Sequence, residues 1–218
     1  MGLLCNASIF ALMVLPVFLL SKGHHVEFRR LIALAAIIVS CMISESTLLG
    51  SLAGVPPLQH LVTVVVIPVF DTLLMDFVLN DPKARKVLHI HDAGDDAAAV
   101  LTALWTAVDL LLYRWFRWYH FISGLGFDAE NLESAVEAFV DLNARLLSSR
   151  RINGWSHNSV KSNSKRRAWI DVAIVRVITT AFGVASGSTL IGNVLFIAAL
   201  VLMQLLLPPL PENGSREE

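Results

Sequence analysis

The chain has 218 residues, 55% of them hydrophobic and 16% charged, whereas a soluble domain carries about 25% charge and about 45–50% apolar residues. Its net charge of −1 gives no overall attraction to a polyanion, and so apolar a chain is not expected to bind nucleic acid. Cys5 and Cys41 both sit in apolar runs, with no CxxC or Cys/His spacing, which argues against a disulfide framework or a zinc site.

Crossing the hydrocarbon core takes about 20 mostly apolar residues. Leu3–Leu20 meets that length without a charge. It lacks a basic leading region and a small-residue cleavage site, so it reads as a retained anchor rather than a cleaved signal. Pro16 is tolerable there because neighbouring helices can satisfy the freed carbonyl. Lys22, Arg29 and Arg30 follow in Ser21–Arg30. Leu31–Gly50 is the second run, with Glu45 near its far end, and Leu58–Leu79 the third, carrying Pro68, Asp71 and Asp76. Residues 1–79 thus form a three-helix membrane region, and 80–96 a polar loop with Lys83, Arg85 and Lys86 ahead of Asp92, Asp95 and Asp96.

Ala97–Phe121 is apolar up to Asp109 and ends in an aromatic and basic run from Tyr113 to His120. Counting Lys and Arg places Ser21–Arg30 and the 80–96 loop in the cytoplasm. A full crossing by 97–121 would then put the most basic stretch of the chain on the other side. Segment 97–121 is therefore expected to be re-entrant or interfacial, with a fourth crossing as the alternative. Residues 122–168 follow as an amphipathic cytoplasmic helix near Asp128–Leu147, with Asp128 as N-cap, and a basic linker. The last membrane helices occupy 169–207: Trp169–Ala185, interrupted by Asp171 and Arg176, and Leu190–Leu207, closed by Pro208 and Pro209. Residues 208–218 read as a disordered polar tail. The expected fold is an all-α polytopic transmembrane protein of five or six membrane segments plus one amphipathic cytoplasmic helix, with the bilayer as its first partner.

Ionisable groups inside spans mark functional or pairing sites, which singles out Asp71, Asp76 and Asp109. Pairing, for example with Arg176, is the plainer role, and substrate contact the sharper one. His120 closes the aromatic belt and His157 lies in Gly154-Trp155-Ser156-His157-Asn158. Either histidine could act as a general base, so His157, His120 and Asp109 are the candidate catalytic residues. His89 and His91 have no carboxylate or cysteine at metal-ligand spacing, so no metal is expected. The small residues Gly183–Gly187 suit close helix packing. Asn6 and Asn213 match the glycosylation sequon. The basic group from Lys161 to Arg167 reads as a topology anchor on anionic lipid, or as a patch for an anionic cofactor such as an acyl-CoA.

The stretch from Ala138 to Trp155, with Arg150-Arg151-Ile152-Asn153-Gly154-Trp155 at its end and Lys165-Arg166-Arg167-Ala168-Trp169 leading into the next span, resembles the fungal wax-synthase-like proteins related to membrane-bound O-acyltransferases. In that family an amphipathic helix enters an Arg-Gly-Ile-Gly-Trp type turn, followed by a basic linker and further membrane helices. Arg151 stands where the family has its first glycine, and Asn153 is inserted or shifted. The family's catalytic segment, of the Phe-Trp-x-x-x-Trp-His type, has no counterpart after Trp155. The resemblance therefore implies the amino-terminal part of such an enzyme, on an endomembrane such as the endoplasmic reticulum. It would move an acyl or acetyl group from acyl-CoA, as co-substrate, to a hydroxyl of a lipophilic or secondary-metabolite acceptor. Arg150, Arg151, Gly154, Trp155, Lys165, Arg166 and Arg167 are the implied acyl-CoA contacts. Two alternatives stand beside it: a non-catalytic, partner-binding membrane protein, and a small transporter with Asp71 and Asp109 on a polar path.

Overall fold

In lipid, a backbone amide has no partner except another backbone group, so apolar runs of spanning length fold as helices. The computed structural model describes residues 2–22, 28–81, 83–84, 94–114, 129–158 and 162–206, with the side chains of 7–22, 29, 31–81, 83–84, 97–114, 131–153 and 168–206. Among these residues the fold is all-α. The helices are α1 (Gly2–Ser21), α2 (Phe28–Ser51), α3 (Pro56–Leu61), α4 (Ile67–Asn80), α5 (Gly94–Asp109), α6 (Ala129–Asn158), α7 (Ser162–Ser186) and α8 (Thr189–Leu206). Five stretches are long and apolar enough to cross a membrane: Leu31–Ser51, Pro56–Asn80, Ala97–Arg114, Ala168–Ser186 and Thr189–Leu206. The apolar stretch Ala7–Ser21 of α1 is shorter.

Two spans contain a π-helical turn. Val62–Val66 joins α3 to α4, and the Ile67 N–H donates to the Val62 carbonyl five residues back. Pro68 cannot donate to a carbonyl four residues back, and the ladder widens just ahead of it. The second π turn, Leu110–Arg114, extends α5. Segment 97–121 is thus a continuous helix of spanning length as far as Arg114. Its aromatic end, including His120, lies outside the described residues, as do most of the 80–96 loop and the 208–218 tail.

The helix expected near Asp128–Leu147 runs on through Asn158. Residues Arg150–Trp155, which the family resemblance implies to be a turn, are helical. Nor does α6 lie against the bundle along one stripe, as an amphipathic surface helix would. It packs on α1, α4, α5, α7 and α8, and Ala135, Ala138, Leu142, Ala144 and Ile152 are buried along its length. Small residues on α6 let several apolar helices approach it at once. The apolar core around it draws on α2 (Leu34, Ile38), α4 (Val78, Leu79), α5 (Leu101, Trp105), α7 (Val172) and α8 (Phe196, Leu200). The Thr102 and Ser149 hydroxyls hydrogen-bond across this interior at 2.8 Å.

Large apolar side chains face outward: Ile170, Ile174, Ile178 and Phe182 are exposed along α7, and Leu202, Leu205 and Leu206 along α8. In a bilayer this is the lipid face. Helices α7 and α8 meet through the turn at Gly187, which has φ +70°, a conformation that costs other residues a Cβ clash. The Ser188 N–H bonds to the Gly183 carbonyl and the Gly187 N–H to that of Val184, the two bonds of a Schellman cap.

Candidate functional site

A polar helix enclosed by apolar ones brings its charged side chains into the interior, where each charge needs a partner. Helix α6 contributes Glu137, Asp141 and Arg145, and the partners come from four other elements. Arg145 Nη2 lies 2.8 Å from Asp141 and 3.9 Å from Asp109 on α5. Arg176 of α7 lies 3.6 Å from Asp141 and donates to Asn193 Oδ1 of α8 at 2.6 Å. Arg114 lies 3.7 Å from Asp109 and 4.0 Å from Glu137, and donates to the Ser134 hydroxyl at 2.8 Å. Glu137 in turn accepts from the Thr189 hydroxyl at 2.6 Å. Two of the guanidiniums also sit over aromatic rings, Arg145 over Trp105 at 5.5 Å and Arg176 over Phe196 at 4.7 Å, where the negative ring face favours a cation.

The π turn explains how Arg114 joins this network. In a regular α-helix, residues five apart point roughly 140° away from each other. The wider π turn brings residues five apart towards one face, so Asp109 and Arg114 meet. The same turn places the Tyr113 hydroxyl against Ser46 and the Met42 carbonyl of α2.

Beside Arg145 and Arg176 is a polar cavity of about 20 Å³, also lined by Asp71, Thr72, Ser148 and Phe196. That is room for about one water molecule. The Arg145 Nη1 atom is buried with no hydrogen-bond partner among the described residues. Asp71 lies within electrostatic reach of Arg145, Arg176 and, on α2, Glu45. The interior therefore gathers three arginines and five acids from six elements, in contact with water-sized space.

The sequence-derived candidates divide clearly. Asp71 and Asp109 enter the network. Asp109 pairs with Arg114 and Arg145, while the bridge made by Arg176 goes to Asp141. Asp76 stands apart, accepting from the Asn80 side chain at 2.7 Å. Arg150 is exposed, whereas Arg151 is buried at 6% exposure. Asp171 of α7 is the acid whose charge acts on the Arg151 guanidinium. Gly154, Trp155, His157, Lys165, Arg166 and Arg167 lie on described helices, but their side chains are outside the described set. Among the described residues no three His, Cys, Asp or Glu side chains are grouped to hold a metal ion, and His60, at the start of its span, is exposed.

The sequence pattern alone presents Arg145, Asp141 and Glu137 as parts of an amphipathic cytoplasmic helix and its basic continuation, not as members of a charge network. The available signal was that Glu137, Asp141 and Arg145 recur at four-residue spacing on one helix face, which alone does not distinguish a solvated face from a buried one. No family model matches this chain, and neither does a curated protein or a solved structure.

Proposed function

We propose that this chain is a membrane-bound, acyltransferase-like protein that works on an acyl-CoA and a lipophilic alcohol, in which α6 carries the recognition motif into the bundle. The supporting sequence feature is the likeness of Ala138–Trp155 and Lys165–Trp169 to wax-synthase-like proteins. The observation that carries the reading is the burial of Arg151, Ile152 and Asn153 at 6%, 1% and 2% exposure, in a helix enclosed by five others. Polar motif residues held inside a membrane bundle are expensive, and such residues mark functional sites by default.

In the reaction, the acceptor oxygen attacks the thioester carbonyl. A histidine takes the hydroxyl proton, the carbon–sulfur bond breaks, and the CoA thiolate leaves and is protonated. His157, on the last turn of α6, and His120 are the base candidates. Asp109 is committed to Arg114 and Arg145, and its role in this scheme is to hold them. Purified protein in liposomes, given labelled acetyl- or long-chain acyl-CoA and a panel of lipophilic alcohols, is expected to form ester. His157→Ala should reduce this to background, and Arg150→Ala, at an exposed position, should raise the KM for acyl-CoA. Wild-type protein that forms no ester with any donor overturns the reading.

The charged cavity favours a second reading, a small transporter, because Asp71, Arg145 and Arg176 surround the water-sized space. On this reading Asp71→Asn and Asp109→Asn insert normally but abolish proton or small-cation flux in liposomes. If both variants carry flux like wild type, transport is not the function.

A further inference from the structure

A second cavity lies along α7, lined by residues other than those around the charge network, and its chemistry is different. Val69 of α4 and Trp169, Ala173, Ile174, Val177 and Ile178 of α7 line a groove of about 250 Å³. The floor is the small, buried Ala173, at 4% exposure, and the rim is Ile174 and Ile178, at 53% and 50%. The opposing wall follows Pro68 and the π turn, where the regular ladder of the span is interrupted.

Three features say what fills it. The groove opens on the lipid face, so its occupant comes from the bilayer. Its length along α7, from Trp169 to Ile178, is about 13.5 Å at 1.5 Å per residue, close to the ~15 Å depth of one hydrocarbon leaflet. Trp169 marks the headgroup end, the depth that tryptophan favours. Lys165, Arg166 and Arg167 occupy the turn of α7 immediately before it. A basic turn at headgroup depth above an apolar slot one leaflet long is complementary to an anionic amphiphile.

We propose that the α4–α7 groove holds one acyl chain of an anionic membrane phospholipid, with the lipid headgroup bound at the Lys165–Arg167 turn. The site is apart from the charge network, and it assigns to a lipid headgroup the three basic residues that the family resemblance implies as acyl-CoA contacts. A zwitterionic lipid can place a chain in the same slot but gains nothing from the basic turn, so the preference resides in the headgroup and the seat in the groove.

The test is native mass spectrometry of the full chain released from neutral detergent, with phosphatidylserine or phosphatidylcholine added. Wild type is expected to retain phosphatidylserine at least about tenfold better than phosphatidylcholine. The triple variant Lys165→Gln, Arg166→Gln, Arg167→Gln should bind both lipids alike. Ala173→Phe should lose the bound lipid by filling the floor. Ile174→Trp, placed at the half-exposed rim where folding tolerates bulk, should do the same if Ala173→Phe does not fold. Equal retention of the two lipids by wild type overturns the proposal, as does undiminished phosphatidylserine binding by folded Ile174→Trp.

Discussion

Arg145→Leu is expected to be the most destabilising single change in the interior. The substitution removes the cation that lies within 4 Å of both Asp141 and Asp109, that interacts with the charges of Asp71 and Glu45, and that stacks on Trp105. Breaking a buried pair by deleting one partner costs about 3–5 kcal/mol, because it strands the other charge. Arg145→Lys should recover part of that loss, since lysine supplies the charge without the planar fork that bridges two carboxylates. Adding Asp109→Asn and Asp141→Asn to Arg145→Leu should restore more stability than the lysine does. Thermal unfolding in detergent, followed by tryptophan fluorescence, reads all three. A leucine variant that melts with wild type would mean that Arg145 does not hold the network.

The second large effect is expected at the α7–α8 crossing. A Cβ built on Gly192 would meet the Thr179 carbonyl oxygen at 2.9 Å and Gly183 Cα at 3.2 Å. Both obstacles are backbone and cannot swing away. Gly192→Ala must therefore push the helices apart, at a cost in the range of about 1–3 kcal/mol seen for overpacking. Gly183→Ala is next, with contacts of 3.1 Å to Gly192 Cα and 3.2 Å to the Ser188 oxygen. Gly50, with nothing within 4 Å, is the control, and alanine there should be neutral or slightly stabilising, because alanine favours helix over glycine. If Gly192→Ala unfolds no sooner than Gly50→Ala, the crossing is looser than its geometry.

The spans were legible because lipid imposes a simple rule, a long apolar run without breaks. Leu31–Gly50 and Leu190–Leu207 needed nothing else, and Gly183 announced close packing through its small neighbours. The interior was harder to read. Helix α6 carries charges at regular spacing, and such a pattern on a single chain looks the same whether it faces water or other charges. What separates the cases is whether partners exist elsewhere, and those partners, Asp109, Arg114 and Arg176, stand far away in sequence on separate elements. Arg114 was further concealed because its pairing with Asp109 depends on a π turn, which has no hydrophobic signature. The motif at Arg150–Trp155 is a turn by likeness to a family alone, whereas in this chain it continues the helix.

The enclosure of α6 also has a consequence for biogenesis. Glu133, Glu137, Asp141 and Arg145 make this helix too polar to leave the insertion machinery sideways into lipid on its own, since each charge at mid-membrane depth costs about 2.5–3.5 kcal/mol there. The partners of Asp141 and Glu137 on α7 and α8, Arg176 and Thr189, are translated only after it. The ribosome must therefore finish the last two spans before the middle of the bundle can close. Until then Asp141 and Glu137 have, among the described residues, only Arg145 and Arg114 as charged partners, so the network is completed last, by the two helices that are made last.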